Sequence, residues 1–260
     1  MHSVRGSLLL SLFNLSILLV AACSKEDPAA VHRSLGNDAA RKGDWKTAAT
    51  EYGLSLESNP RDPKLWQLKA NAHMKLDQLS EAAECLAKPA EFTSDPAAKA
   101  EAYRLVASMY VEHAQFAEAE KAFGQALKFN PNDELALQWL AELASVRGGA
   151  RKMTDPADPT WLKQAITYYD QVIKVNPENL FAYANRRVAL SKYLEFTQQE
   201  KAQAERLIQL EHKDAAKVAA ARTQIAESST RIEGLQKEID AMSKKIKEIQ
   251  AAQKAKKPST

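Results

Sequence analysis

Glycine is scarce, eight in 260 residues, and no stretch alternates β-branched with polar residues between turn signals. Those two shortages exclude a sheet-based fold. With only two cysteines, Cys23 and Cys85, a disulfide framework is excluded as well. Charge of one sign is also lacking, since 36 Lys+Arg face 33 Asp+Glu. A nucleic-acid partner would call for a clustered basic excess that this chain does not have. Its five histidines, His2, His32, His73, His113 and His212, nowhere pair with Cys, His or carboxylate at ligand spacing. We find no phosphate loop, nucleophile elbow or acid–base pair. We therefore expect no enzyme activity, catalytic residue, metal, cofactor or small-molecule substrate. What the chain does have is abundant Ala, Leu, Lys, Glu and Gln, the composition of helix.

The longest apolar run lies at the start. Arg5 precedes Leu8 to Ala22, interrupted by Ser11, Asn14 and Ser16. Its apolar length falls short of the ~20 residues of a spanning helix, and it ends in small residues, as a cleaved signal peptide does. Val20-Ala21-Ala22-Cys23 resembles the bacterial lipobox. That resemblance implies cleavage between Ala22 and Cys23, with diacylglycerol on the Cys23 sulfur and a further acyl chain on its amine. The lipid is the only covalent group expected, and two or more acyl chains give a lasting anchor. Ser24, where Asp would signal retention, implies the outer membrane, facing the periplasm. Residues 1-22 are thus read as signal peptide and 23-30 as lipidated tether, Pro28 opposing an earlier helix.

Beyond the tether the chain repeats itself. Asn-Pro recurs at Asn59-Pro60, Asn130-Pro131 and Asn176-Pro177, and upstream a small residue is followed four later by a large one. The pairs are Ala48/Tyr52, Ala82/Leu86, Ala119/Phe123 and Ala165/Tyr169. Gly36-Asn37, Gly43-Asp44-Trp45, Ala48, Tyr52 and Pro60 form the clearest copy, and the pattern resembles the tetratricopeptide repeat (TPR), whose period is about 34 residues. The implied fold is all-α, a TPR helix-turn-helix solenoid over 31-190 with four to five repeats. Each helix pair is too small to bury its own apolar face and closes its core on its neighbour. Asp62-Pro63, Asp95-Pro96 and Asp158-Pro159 read as N-cap plus first helical proline. Pro89 should end its helix near Lys88, and 147-158 reads as an inserted surface loop, serving a binding face or idle.

In the repeat family the first helices line a groove that holds a peptide or helix. By register those positions are Arg33, Asn37, Arg41, Lys64, Gln67, Asn71, Lys75, Arg104, Ser108, Gln138 and Arg186. They imply a polar, mildly basic groove for an acidic or carboxylate-bearing segment. Arg33 and Asn37 match half of the family's carboxylate clamp, whereas Leu68, Glu101 and Leu105 break the other half. A receptor for chaperone tails is therefore not expected. His73 and Cys85 read as packed core residues.

The extension 191-260 differs. Phe181, Ala184 and Val188 open a fifth first helix with no family-like second helix after it, and 198–257 holds no proline and one glycine, Gly234. Thr197 with Glu200 and Thr230 with Glu233 are candidate capping boxes dividing this helix. A coiled-coil seam runs over 218-253. Val218, Ile225, Ile232, Ile239 and Ile246 hold one position, and Ala221, Ser228, Leu235, Met242 and Ile249 the other. The stripe needs a partner: a second copy of the chain, another protein, or the preceding helix folded back. Lys244, Lys245, Lys247, Lys254, Lys256 and Lys257 crowd the tip, to meet anionic lipid or an acidic partner, or as a solvated helix end.

These features are similar to TPR lipoproteins that act as type IV pilus pilotins or serve outer-membrane insertion, motility and secretion complexes. The expected function is a scaffold binding other cell-envelope proteins, with self-association through the seam. The alternatives are a docking factor for peptidoglycan enzymes and a structural coiled-coil spacer.

Overall fold

The computed structural model describes residues 27–150, 155–211 and 213–255. The signal peptide, Ala22, Cys23, the first half of the tether (residues 23–26), Lys256 and Lys257 lie outside the described residues. The second half of the tether departs from expectation: Asp27 caps a helix that begins at Pro28. Among those described there are ten α-helices, one 3-10 turn and no strand, and none of the helices is long and apolar enough to cross a membrane. The chain divides into two compact units, one up to Phe92 and one from Thr93 onward. The C-terminal extension belongs to the second.

The first unit holds α1 (Pro28–Arg41), α2 (Trp45–Ser58), α3 (Pro63–Lys75), α4 (Leu79–Ala87) and the 3-10 turn Lys88–Glu91. Pro89 removes one helical N–H, and α4 stops two residues before it, as the sequence implied. The second unit holds α5 (Pro96–Glu112), α6 (Phe116–Phe129), α7 (Glu134–Arg147), α8 (Pro159–Val175), α9 (Leu180–Leu210) and α10 (Ala215–Ala255). Within each unit every helix packs on the next.

Two turns recur and set the repeat. Between first and second helix, the amides of Asp44, Gln78, Gln115 and Ala150 donate to the carbonyls of Ala39, His73, Tyr110 and Ser145, five residues back. This is the Schellman closure, and it needs a left-handed residue. Gly43, Asp77, Ala114 and Gly149 supply it with positive φ. Between pairs, Asp62, Asp133 and Asn179 cap the next helix by accepting from its first-turn amides. The small residues Ala48, Ala82, Ala119 and Ala165 are fully buried where helices cross, and Tyr52, Leu86, Phe123 and Tyr169 fill the space beside them. Gly36 serves the same contact from the other side: a Cβ there would lie 2.6 Å from the Tyr52 ring.

The insertion differs from expectation. Gly148, Gly149 and Ala150 are buried, not on the surface. They form the fourth Schellman turn, and a Cβ on Gly149 would sit 2.2 Å from the Pro156 carbonyl oxygen. The added residues therefore follow a regular turn. Residues 151–154 lie outside the described ones.

At the C-terminus α9 supplies the fifth first helix, and α10 folds back along it. The seam's partner is thus the preceding helix. Ala221, Ser228, Leu235 and Ile249 are buried, while Ile225, Ile232, Ile239, Met242 and Ile246 are half-buried. Leu235, with Ile239 and Met242 against it, joins the core built by Leu162, Tyr169, Leu190 and Tyr193. Neither proposed capping box breaks the helix, because Thr197 and Thr230 donate to Tyr193 and Ala226 carbonyls one turn back. The break falls after Leu210, where Asp214 accepts from the Lys217 amide.

Candidate protein-binding surface

The expected groove residues separate into three environments. In the first unit, Arg33, Asn37 and Arg41 on α1 and Lys64, Gln67, Asn71 and Lys75 on α3 are all exposed. Asn37 Oδ1 accepts from the Tyr52 hydroxyl at 3.0 Å, which fixes its amide. Arg41 pairs with Asp38 one turn back. These seven side chains are polar, and four of them, Arg33, Arg41, Lys64 and Lys75, are cations.

In the second unit Arg104, Ser108 and Gln138 are half-buried. Arg104 pairs with Glu101 on its own helix. Arg104 and Gln138 share a cleft of about 520 Å³ with Glu101, Asn130, Asn132, Asp133 and Glu134. Leu135 and Gln138 also border a neighbouring trough of about 600 Å³. Its walls are Val111 of α5, Phe116 of α6, Leu135, Trp139, Leu143 and Val146 of α7, and Phe181 of α9, with Glu142 on one side.

Four of those apolar side chains remain open to solvent: Phe116 at 47% of its surface, Phe181 at 44%, and Leu135 and Val146 at 40% each. Bulky apolar groups grouped in a hollow mark a binding surface more than scattered ones do. The sequence reading missed them. Phe181 and Val188 hold the register of a first helix, yet both are exposed, and Ala182, Tyr183, Ala189 and Leu190 go inward from α9. The available signal was the i, i+4, i+8 series Leu135, Trp139, Leu143 on α7, alongside a second apolar stripe at Ala136, Leu137, Leu140 and Ala144. A helix apolar on two faces has one to spare.

Arg186 is the third environment, and it corrects the groove assignment. It is only 7% exposed. Nε donates to Asp170 Oδ1 on α8 at 2.6 Å and Nη2 to Glu238 Oε2 on α10 at 2.8 Å. Burial opposes its charge, and the bonds to both carboxylates outweigh that cost and hold it protonated. Arg186 thus ties α10 to the repeats and offers no open contact to a partner.

The remaining chemistry is sparse. Cys85 is buried, and desolvation pushes its thiol up, away from the reactive thiolate. His73 is half-buried, not a packed core residue, and its Nδ1 lies 2.8 Å from Gln78 Oε1. Among the described residues no group of three His, Cys, Asp or Glu is placed to hold a metal ion.

No known family model matches the chain. Among curated proteins, U-box domain-containing protein 70 of Oryza sativa subsp. japonica is 28% identical over 118 residues, covering 44% of this chain and 14% of that protein. The chain therefore matches a small part of a much longer protein. Among solved structures, a TPR repeats protein from Bacteroides fragilis NCTC 9343 has 17% identity, covers 88% of this chain and 98% of its own, and gives a TM-score of 0.60. A tetratricopeptide repeat protein from Parabacteroides merdae ATCC 43184 covers 86% and 87% at 16% identity, with a TM-score of 0.45. The fold is all-α and of the tetratricopeptide-repeat type. The likeness to the Bacteroides fragilis protein is one of fold.

Proposed function

We propose that the chain is a membrane-anchored repeat scaffold, which assembles or stabilises a multiprotein envelope machine by binding its components. The open apolar trough of the second unit, lined by Phe116, Leu135, Trp139, Val146 and Phe181, carries this reading. Solvent-facing aromatic and aliphatic groups in one hollow gain free energy only when a partner covers them. The mooring to the outer membrane, on the periplasmic side, rests on the resemblance of Val20-Ala21-Ala22-Cys23 to a lipobox. The spacer alternative finds less support, because α9 already occupies the α10 seam.

Two measurements test the two halves. A photo-crosslinking residue at position 181 in cells should give discrete adducts that Val146→Asp abolishes while helix content by circular dichroism stays constant. Adducts unchanged by Val146→Asp, or none at all, would refute the trough as a receptor. Separately, Cys23→Ser should block processing and abolish incorporation of a labelled fatty acid into the protein. Unaltered processing, or label retained by the variant, would remove the anchor.

A further inference from the structure

We infer that the trough of the second unit takes a basic amphipathic segment of a partner protein, with bulky apolar anchors and flanking lysines or arginines. This rests on reading the trough as a protein-binding surface and adds the chemistry of its occupant.

The argument is charge. Around the trough and its adjoining cleft stand Glu101, Asp133, Glu134 and Glu142, with Arg104 as the one cation lining either hollow among the described residues. Arg104 pairs with Glu101. The other three carboxylates are held by neutral donors. Asp133 accepts from the Ala136 amide, Glu134 from the Asn176 and Asn179 side chains at 2.9 and 2.7 Å, and Glu142 from the Tyr169 hydroxyl at 3.2 Å. Such bonds fix the carboxylates in place and bring no cationic side chain to them. An apolar hollow edged by fixed negative charge attracts cationic flanks and repels acidic ones. The result is opposite in sign to the exposed cations of α1 and α3, so the acidic partner implied by the sequence does not suit this part of the chain. Apolar side chains spaced along α7 at 135, 139 and 143 accept anchors repeating at helical spacing.

The test uses two labelled peptides of about 15 residues with identical leucine spacing at i, i+3, i+4 and i+7, one carrying lysine and the other glutamate elsewhere. Fluorescence anisotropy with the full chain should show the lysine peptide binding about tenfold or more tightly than the glutamate peptide at low salt. The preference should shrink at high salt, by screening. Phe181→Ser, at an exposed position, should weaken the lysine peptide about tenfold or more by removing an anchor contact. Glu142→Gln should reduce the preference without abolishing binding. If the glutamate peptide binds equally or better, the assigned chemistry is overturned while the trough survives as a receptor. Failure of both peptides to bind, or lysine-peptide binding indifferent to Phe181→Ser and Glu142→Gln, overturns the inference. In that case the crosslinks at position 181 tell separately whether the trough binds protein at all.

Discussion

Tyr169 ties the packing of the second unit to the charge beside its trough. The ring is fully buried. Its hydroxyl donates to Glu142 Oε2 at 3.2 Å and accepts from Ser145 Oγ at 3.4 Å. Burial, with the Glu142 charge adding to it, pushes the phenol well above its ordinary value of 10.0. The folded value is raised above the unfolded one, so this group's contribution to stability is intact below pH 10. It is lost as pH rises above that, because only the unfolded chain then releases the proton. Tyr169→Phe should cost about 1 kcal/mol at pH 7, from the lost hydrogen bond. The same variant should lose less stability than the parent between neutral and strongly alkaline pH, as read by urea unfolding at each pH. Equal alkaline losses would show that Tyr169 does not govern this limb. The ring was legible in the sequence as the large partner of Ala165. Its bond to Glu142 was not, because that contact joins two helices through tertiary packing. Arg186 was misread for the same reason: register places a residue on a helix face, and only the path of α10 shows that this face is covered.

At the level of elements, the four Schellman turns show what sequence pattern conveys and what it hides. Gly43 announced the first turn. Asp77 and Ala114 hold the same left-handed conformation at φ 58° and 55° without being glycine, so neither turn carries the expected residue. The fourth was hidden in an apparent loop, because an insertion follows it directly. Left-handed φ costs a residue with a Cβ about 1–2 kcal/mol, while glycine loses more chain entropy on folding. Ala114→Gly should therefore stabilise the second unit by about 0.5–1 kcal/mol. Gly149→Ala should do the reverse, since it combines φ 73° with a Cβ 2.2 Å from the Pro156 oxygen. Its cost should exceed about 2 kcal/mol, strain and overpacking together. Urea midpoints at constant slope measure both. A destabilising Ala114→Gly would mean that the turn's conformation is not what limits it. The hairpin of α9 and α10 was half legible, since the heptad stripe was plain. Which of three partners filled it depended on a break at Glu211–Asp214 that has neither proline nor glycine to mark it.

On the scale of the whole chain, the division between Phe92 and Thr93 separates two cores. Leu56, Leu65 and Tyr52 centre the first, and Leu162, Tyr169 and Val172 the second. Repeat arrays need not unfold as one, since each pair is stabilised by its own packing and its nearest neighbours. Cys85, buried in α4 with its thiol held protonated, is a native reporter of the first unit. A thiol reagent reaches it only when that unit opens, and the rate then follows the opening equilibrium. Leu65→Ala deletes a side chain that is 2% exposed. Cavity formation there should cost about 2–5 kcal/mol, which accelerates Cys85 modification by about 30-fold or more. Leu162→Ala makes a comparable cavity in the second unit, at a residue with no exposed surface. If the two cores open separately, Leu162→Ala leaves the Cys85 rate within about twofold of the parent while lowering the second unit's stability. Mass spectrometry assigns the label to Cys85 and times its appearance. Equal acceleration by both substitutions would mean that the chain opens in a single cooperative step, and the two cores would then be one folding unit.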